Sequence, residues 1–161
     1  AALRTLVHTE AAGADAALAT FREKYRDDLL LTDKWIALVA SRPSADAVAD
    51  VEALLAGPWW LPTNPNRVRA LLGTLARSNP PAFHRVDGAG YRLVAGQALR
   101  LDSINPQVAA RLLGAFENAA RLRGSRRAAA HAALRALDGQ LVSRDGRDLL
   151  QRLLAALADP G

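Results

Sequence analysis

The sequence predicts an all-α fold, and three observations lead to that prediction. Half of the residues are apolar but only 5% are aromatic, so the core must be built mainly from Leu, Ala and Val. Leu and Ala rank high in helix propensity, whereas the β-branched residues that favour strands are few. Apolar residues recur at helical spacing along nearly the whole chain, and no segment shows the alternation that indicates a half-buried strand.

The first half of the chain is predicted to contain a short opening helix and four longer ones. Asn64 is a good cap for the last of them, because its side chain accepts from N–H groups of the first turn. Pro65 then occupies the first helical position, where a missing N–H is harmless. The four segments are GADAALATFREKYRDD with Asp15 as its cap, LLTDKWIALVASRP ending at Pro43, SADAVADVEALLAGP capped by Ser44, and TNPNRVRALLGTLARSNP.

The second half is predicted to begin with one long irregular stretch, SNPPAFHRVDGAGY, because prolines and glycines cluster there. Helix resumes in YRLVAGQALRLDS. Three more helices are predicted, from Asn105 to about Arg121, from Ser125 to Asp138 and from Ser143 to about Ala158. We therefore expect a superhelical array of antiparallel helix pairs, similar to an α-solenoid, with about eight or nine helices.

Two helices begin with the same pattern, N-P-x-x-x-x-x-L-L-G, which runs from Asn64 to Gly73 and from Asn105 to Gly114. The offset of 41 residues lies within the range of ~40–47 that is typical of two-helix repeats. A match of this length in a chain rich in Leu and Ala can also arise by chance, and both explanations stay open. The two glycines, placed inside helices, predict a close approach of neighbouring helices.

The net charge of +5 and the sequence pI of about 10.6 invite a nucleic-acid interpretation, but the arrangement of the charges argues against it. The densest cluster, RLRGSRR, contains Gly124 and Ser125 and is typical of a solvated corner between two helices. No aromatic residues that could stack on bases lie within it. We predict no nucleic-acid partner. The apolar runs are too short to span a bilayer, so no membrane partner is expected either.

The sequence contains no recognisable catalytic centre. The absence of cysteine excludes disulfides, thiolate metal sites and a cysteine nucleophile, and it agrees with a cytoplasmic location. The three histidines (His8, His84 and His131) include no pair one helical turn apart and none is followed by Glu, so no HExxH zinc motif is present. His84 is expected to cap or hydrogen-bond within the irregular stretch. No catalytic or metal-binding residue and no cofactor are therefore assigned to this chain.

Gln107 and Arg111 form the one polar pair that stands out. On a helix they project to the same side, one turn apart, and Gly114 and Asn118 continue that side. Apolar residues occupy the neighbouring face. Two interpretations remain open: a solvated flank of the helix, or a polar recognition face near a helix N-terminus, where N–H groups also favour anionic groups.

The stretch from Asn64 to Tyr91, NPNRVRALLGTLARSNPPAFHRVDGAGY, together with INPQVAARLL and the upstream LTDKWIALVAS, closely resembles the C-terminal domain of bacterial aminopeptidase N. That family consists of zinc metallopeptidases with an HExxH motif. The resemblance extends over essentially the whole chain, so residues 1–161 are expected to form a single C-terminal helical domain. Because the sequence contains no methionine, even at residue 1, we expect it to be a piece of a longer chain.

The resemblance implies a helical domain that packs over the catalytic domain of the same parent chain, encloses the active-site chamber and limits access to short peptides. It also implies that Gln107 and Arg111 help to line the pocket for the N-terminal residue of the substrate. Zinc, its ligands and the general base of the parent enzyme would lie outside this chain. The chain alone is therefore not expected to be active.

Two other functions are compatible with the residues themselves. The chain could be a free-standing helical-repeat scaffold that binds a protein or peptide partner on a concave face. The third hypothesis, which the arrangement of the charges disfavours, is RNA binding through the arginines, and such binding would weaken steeply with rising salt.

Overall fold

The computed structural model describes residues 2–158, and within that range it consists of helices and connecting turns without any strand. The all-α prediction is confirmed. The helical segments join into ten helices within residues 2–158. The additional one is the short helix α7 (Pro80–Phe83), which lies in the stretch that we predicted to be irregular. Of the predicted domain 1–161, residues 1 and 159–161 lie outside the described residues.

The chain divides into two compact units, the first ending at Ala82 and the second beginning at Phe83. The helices of the first unit are α1 (Ala2–His8), α2 (Ala14–Lys24), α3 (Leu29–Ala40), α4 (Ala47–Ala56), α5 (Pro65–Val68) and α6 (Thr74–Ser78). In this unit, α3 packs against α4 and against the helical turn Arg69–Gly73, and α1 and α2 pack on each other and on α3. Its core is formed by buried apolar side chains, among them Val7, Leu18, Trp35, Ile36, Val48, Val51, Leu71, Leu72 and Leu75.

A buried arginine, Arg67, connects three segments of the first unit. Its Nε donates to Asp33 Oδ1 at 2.5 Å, and its guanidinium also donates to the carbonyl oxygen of Trp59. Only 2% of the Arg67 side chain is exposed, so these partners replace the water that its charge would otherwise require. The ring of Trp59 meets that of Trp35 edge-on at 5.5 Å. This ion pair could not be predicted from local sequence patterns, because its partners lie 34 residues apart.

A π-helical turn, Arg69–Gly73, joins α5 and α6 into one continuous helix. Backbone angles remain helical at both junctions, at Val68 and at Gly73. The predicted close helix approach at Gly73 is wrong. A side-chain Cβ built there would meet only the side chain of Arg69, at 3.5 Å and 3.8 Å, in ordinary van der Waals contact. The glycine does not make room for another helix.

The helices of the second unit are α8 (Ala89–Asp102), α9 (Pro106–Leu113) with its 3-10 continuation Gly114–Arg121, α10 (Ser125–Arg135) and α11 (Arg144–Ala158). The longest contact is between α8 and α9, and α11 packs against α9 and α10. Three aromatic rings, of Phe83, Tyr91 and Phe116, form a buried cluster with centroids 5.0–5.6 Å apart. Leucines and alanines of the four helices complete the core, as the composition predicts.

The cap predicted at Asn64 is confirmed, and Asn105, at the same place in the shared pattern, caps the second Asn-Pro helix. Asn64 accepts from the N–H groups of Asn66 and Arg67, and Asn105 accepts from that of Val108. After the cap the two helices diverge, because the first widens into the π turn and the second tightens into the 3-10 segment. The shared pattern therefore specifies how both helices begin and not how they continue.

Two other predicted caps differ from the structure. α2 begins at Ala14 after a left-handed Gly13, so Asp15 lies inside the first turn, where it pairs with Arg42 at 2.6 Å. Ser44 accepts from the N–H of Asp46 and so closes a turn before α4, which begins at Ala47. In both cases the predicted cap is a polar residue near the helix start, but it lies two positions away from the residue that occupies the cap position, Gly13 in α2 and Asp46 in α4.

Candidate functional site

Gln107 and Arg111 lie on one exposed side of α9. The helix begins at Pro106 because Asn105 accepts from the N–H of Val108 at 3.2 Å and the proline is already bent for the first turn. Both side chains are exposed, and four residues separate them, so they stand one turn apart on the surface. The structure thus brings the predicted pair together on one face.

The opposite side of α9 and of its 3-10 continuation is firmly buried. Leu112, Ala115, Phe116 and Ala119 are each at most 4% exposed, as the predicted apolar face requires. Gly114 is half-buried and Asn118 is exposed, so the polar side continues beyond Arg111. Because the buried side of α9 packs against α8 and α11, the backbone that carries the polar side chains is held in place. Such placement suits a binding surface.

The chemistry available on this face is hydrogen bonding and positive charge. An amide side chain offers both a donor and an acceptor, and a guanidinium offers five donors in a rigid fork. Gln107 also lies in the first turn of α9, where N–H groups point out of the helix start. This combination can hold carbonyl, amide or carboxylate groups of a ligand. It contains no nucleophile and no general base.

The second unit also contains a polar pair beside the aromatic cluster. Nδ1 of His84 and the hydroxyl of Tyr91 are 2.6 Å apart, which agrees with the hydrogen-bonding role predicted for His84. Burial lowers the pKa of His84, and the positive charge of Arg126 lowers it further. Burial raises the pKa of Tyr91 to about 12, so the phenol stays protonated at neutral pH. The pair holds helix α8 to the segment before it.

Asp102 is a buried carboxylate that sequence reasoning missed. Its side chain is 1% exposed and accepts from the N–H groups of Val142 at 2.7 Å and Ser143 at 2.9 Å, and from the Ser143 hydroxyl. Ser143 Oγ in turn accepts from the N–H of Gly146 in the first turn of α11. Burial acts to raise the pKa of Asp102, but these hydrogen bonds and the charge of Arg147 outweigh it and hold the pKa low. The carboxylate joins the end of α8 to the start of α11.

The arginine-rich segment is a corner between two helices, as predicted, but it is not simply solvated. Arg127 is half-buried and donates to the carbonyl oxygens of Ala120, Ala156 and Leu157, which lie at or near the ends of two helical segments. Arg126 Nε donates to the His84 carbonyl at 2.9 Å. These two arginines therefore stabilise the fold of the second unit.

No group of three or more His, Cys, Asp or Glu side chains in residues 2–158 is arranged to hold a metal ion. None of the helices in the same range combines the length and the apolar character needed to cross a bilayer.

Comparisons with known proteins agree with the predicted family. The family model described as "Domain of unknown function (DUF3458_C) ARM repeats" matches residues 1–155. Aminopeptidase N of Haemophilus influenzae is 38% identical over 143 residues, which are 89% of this chain and 16% of that protein. Aminopeptidase N of Escherichia coli is 37% identical over 158 residues, 98% of this chain and 18% of that protein.

A comparison with a solved structure also agrees with the predicted family. The structure of Legionella pneumophila aminopeptidase A in complex with aspartic acid matches with a TM-score of 0.88 and 32% identity, covering 96% of this chain and 18% of that one. The chain thus spans less than a fifth of the length of these relatives. It belongs to the DUF3458_C family of ARM-repeat domains and is similar to the part of aminopeptidase N that corresponds to its C-terminal helical domain.

Proposed function

We propose that this chain is the C-terminal helical domain of a zinc-dependent aminopeptidase that removes N-terminal residues from peptides. In this proposal residues 1–161 act as one domain that packs over the catalytic domain of the same parent chain. The domain encloses the active-site chamber and restricts access to short peptides. The similarity of nearly the whole chain to a small part of aminopeptidase N supports this assignment.

The observation that carries the proposal is the exposed Gln107/Arg111 pair on α9. The two side chains share one face, a turn apart, and the helix that bears them is fixed by its buried reverse side. Their role would be to line the pocket for the N-terminal residue of the substrate. There the amide and the guanidinium would contact polar groups of that residue and exclude water. The relative from Legionella pneumophila was solved in complex with aspartic acid, so a protein that contains a region similar to this chain accommodates a free amino acid.

Zinc binding is not part of the role that we propose for this chain. The described residues do not include a ligand set that fits zinc, so we derive no catalytic step from them. The contribution of the domain to the reaction would be differential binding. Contacts that hold the substrate residue in place lower KM, and contacts that strengthen in the transition state raise kcat.

The proposal is tested by steady-state kinetics of the full parent enzyme with Gln107→Ala and Arg111→Ala combined. Over a panel of aminoacyl substrates we expect altered KM or altered side-chain preference, by about 5-fold to 100-fold in kcat/KM for the most affected substrates. Zinc content should stay at the wild-type value. Arg135→Ala, an exposed arginine on α10, is the matched control and should leave the panel unchanged.

Two results would contradict the proposal. Identical kinetics of the double variant and the wild type across the panel would remove the pocket assignment. Peptidase activity of the isolated 161-residue chain with added zinc would show that the chemistry does not lie elsewhere in the parent.

A further inference from the structure

A groove runs along the outer side of α3 in the first unit. Two adjoining cavities of about 480 Å³ and 440 Å³ form it, and both are lined by Lys34, Ala37 and Thr74. One extends toward α1 and α2, where Arg4 and Phe21 line it. The other lies between α3 and the continuous helix formed by α5, the π turn and α6. All of its lining residues belong to the first unit.

The groove combines a floor of small and apolar residues with positively charged sides. Ala37 and Ala70 leave space between the two helices, and Leu30, which is 66% exposed, lies at one end. On α3 the lining residues follow helical spacing from Leu30 to Ser41, a length of roughly 17 Å at 1.5 Å per residue. That length matches about three turns of a second helix laid along the groove.

The charge of the groove is positive. Lys34 and Arg69 are both exposed on its sides, and Arg4 extends the positive potential at one end. Among the described residues that line the two cavities, Asp33 is the one carboxylate, and its Oδ1 accepts from the buried Arg67 at 2.5 Å. Its negative charge is therefore offset within the fold.

The π-helical turn shapes this groove. Thr74 follows Arg69 by five residues, a separation that places two side chains about 140° apart on a regular α-helix. The wider π turn between them reduces this angle, so Arg69, Ala70 and Thr74 all line the groove. Such turns are rare and occur often at functional sites. The π-helical turn that shapes the groove therefore supports a binding role for it.

We propose that this groove binds an acidic amphipathic helix of a polypeptide partner. Apolar side chains of the partner would lie on Leu30, Ala37 and Ala70, and its carboxylates would meet Lys34 and Arg69. This is the helix-in-groove mode of peptide recognition, with charge complementarity selecting the sign of the partner. The proposal does not depend on Gln107 and Arg111, which lie in the other unit.

Calorimetric titration of the 161-residue chain with synthetic helical peptides tests this proposal. The probe is a peptide of three to four turns with Leu on one face and Glu on the other. Two comparison peptides carry Lys in place of Glu, or Ser in place of Leu. We expect a Kd on the order of 10 μM for the acidic amphipathic peptide and at least about 10-fold weaker binding of the other two.

Charge reversal locates the site. Lys34→Glu with Arg69→Glu should weaken binding of the acidic peptide at least about 10-fold, and Lys34→Gln with Arg69→Gln should weaken it by a smaller factor. Arg135→Glu with Arg152→Glu, a matched reversal on exposed residues of the second unit, should leave the Kd within about twofold. Circular dichroism establishes that each variant is folded.

Three outcomes would overturn the inference. They are equal binding of acidic and basic peptides, an unchanged Kd in both Lys34/Arg69 variants, and the absence of binding at about 1 mM peptide. Failure of the groove is distinguishable from failure of the proposed pocket, because the pocket residues lie in the second unit and are tested separately by the kinetics of the parent enzyme.

Discussion

Asp102, the last residue of α8, accepts hydrogen bonds from both the N–H and the hydroxyl of Ser143, which precedes α11. The two residues lie 41 positions apart in the sequence. Ser143 also accepts from the N–H of Gly146 at 3.0 Å, so one side chain both caps α11 and binds the buried carboxylate. This arrangement fixes α8, whose neighbour α9 carries the proposed pocket face, to α11.

Asp102→Asn is expected to destabilise the chain by about 2 kcal/mol. An Asn side chain has an NH2 group in place of one carboxylate oxygen, and this group would face the N–H and hydroxyl donors of Val142 and Ser143. Because the site is buried, water cannot replace the lost hydrogen bonds. Chemical denaturation with urea at pH 7 measures the change. Glu117→Gln, at an exposed position, is the control and should stay within about 0.5 kcal/mol of wild type. An Asp102→Asn variant as stable as that control would contradict the role of the carboxylate.

Stability should fall on acidification in a way that depends on Asp102. Its pKa in the folded chain lies below the ordinary value of 3.8, so between the two pKa values the unfolded chain binds more protons. The contribution of Asp102 is fully present above 3.8 and is lost as the pH falls through the folded-state pKa. The stability difference between wild type and Asp102→Asn, measured by urea denaturation from pH 7 to pH 3, should shrink at the acidic end. A difference that stays constant over this range would be inconsistent with a depressed pKa.

Gly146→Ala should be destabilising although alanine favours helix. A Cβ at this position would lie 2.6 Å from Ser143 Oγ and 2.9 Å from Asp102 Oδ1, so the hydrogen-bonded pair would have to separate. We expect a loss of about 2 kcal/mol in unfolding free energy. Gly96→Ala provides the contrast, because a Cβ added there, inside α8, would have no atom within 4 Å apart from its two chain neighbours and the helix's own backbone. That variant should gain about 0.5–1 kcal/mol. The same sign for both variants would refute the steric argument.

The pKa of His84 should rise when Arg126 is replaced by Ala. Burial and the positive charge of Arg126 both disfavour protonation of the imidazole, and the substitution removes the second cause. A pH titration of the His84 ring followed by NMR measures the change, with the exposed Arg100→Ala as the control. Because the folded-state pKa is lowered, this histidine favours folding at high pH, and its contribution is lost as the pH falls below 6.5. An unchanged or lower pKa in Arg126→Ala would contradict the assigned electrostatics.

The features that the sequence predicts well are local ones. Composition and periodicity predict an all-α chain, and Asn64 and Asn105 are recognisable as caps because their partners lie two or three residues away. The Asp102 carboxylate and the Arg67 ion pair were not predictable, because their partners are brought together only by folding. Of the proposed site, the sequence predicts that Gln107 and Arg111 share an exposed face, and the structure confirms this placement. Their contact with a substrate stays a prediction.

The central claim, that the Gln107/Arg111 face of α9 lines a substrate pocket, is tested most directly by cysteine protection in the full parent enzyme. This chain has no cysteine, so Gln107→Cys introduces one at a known place, and Arg135→Cys on α10 is the matched control. The alkylation rate of each introduced cysteine is measured with and without a saturating peptide ligand. Mass spectrometry of the proteolytic fragment that contains the cysteine gives this rate. We predict that the ligand slows alkylation at position 107 by about 10-fold or more and leaves position 135 unaffected. Equal rates at position 107 with and without ligand would contradict the claim.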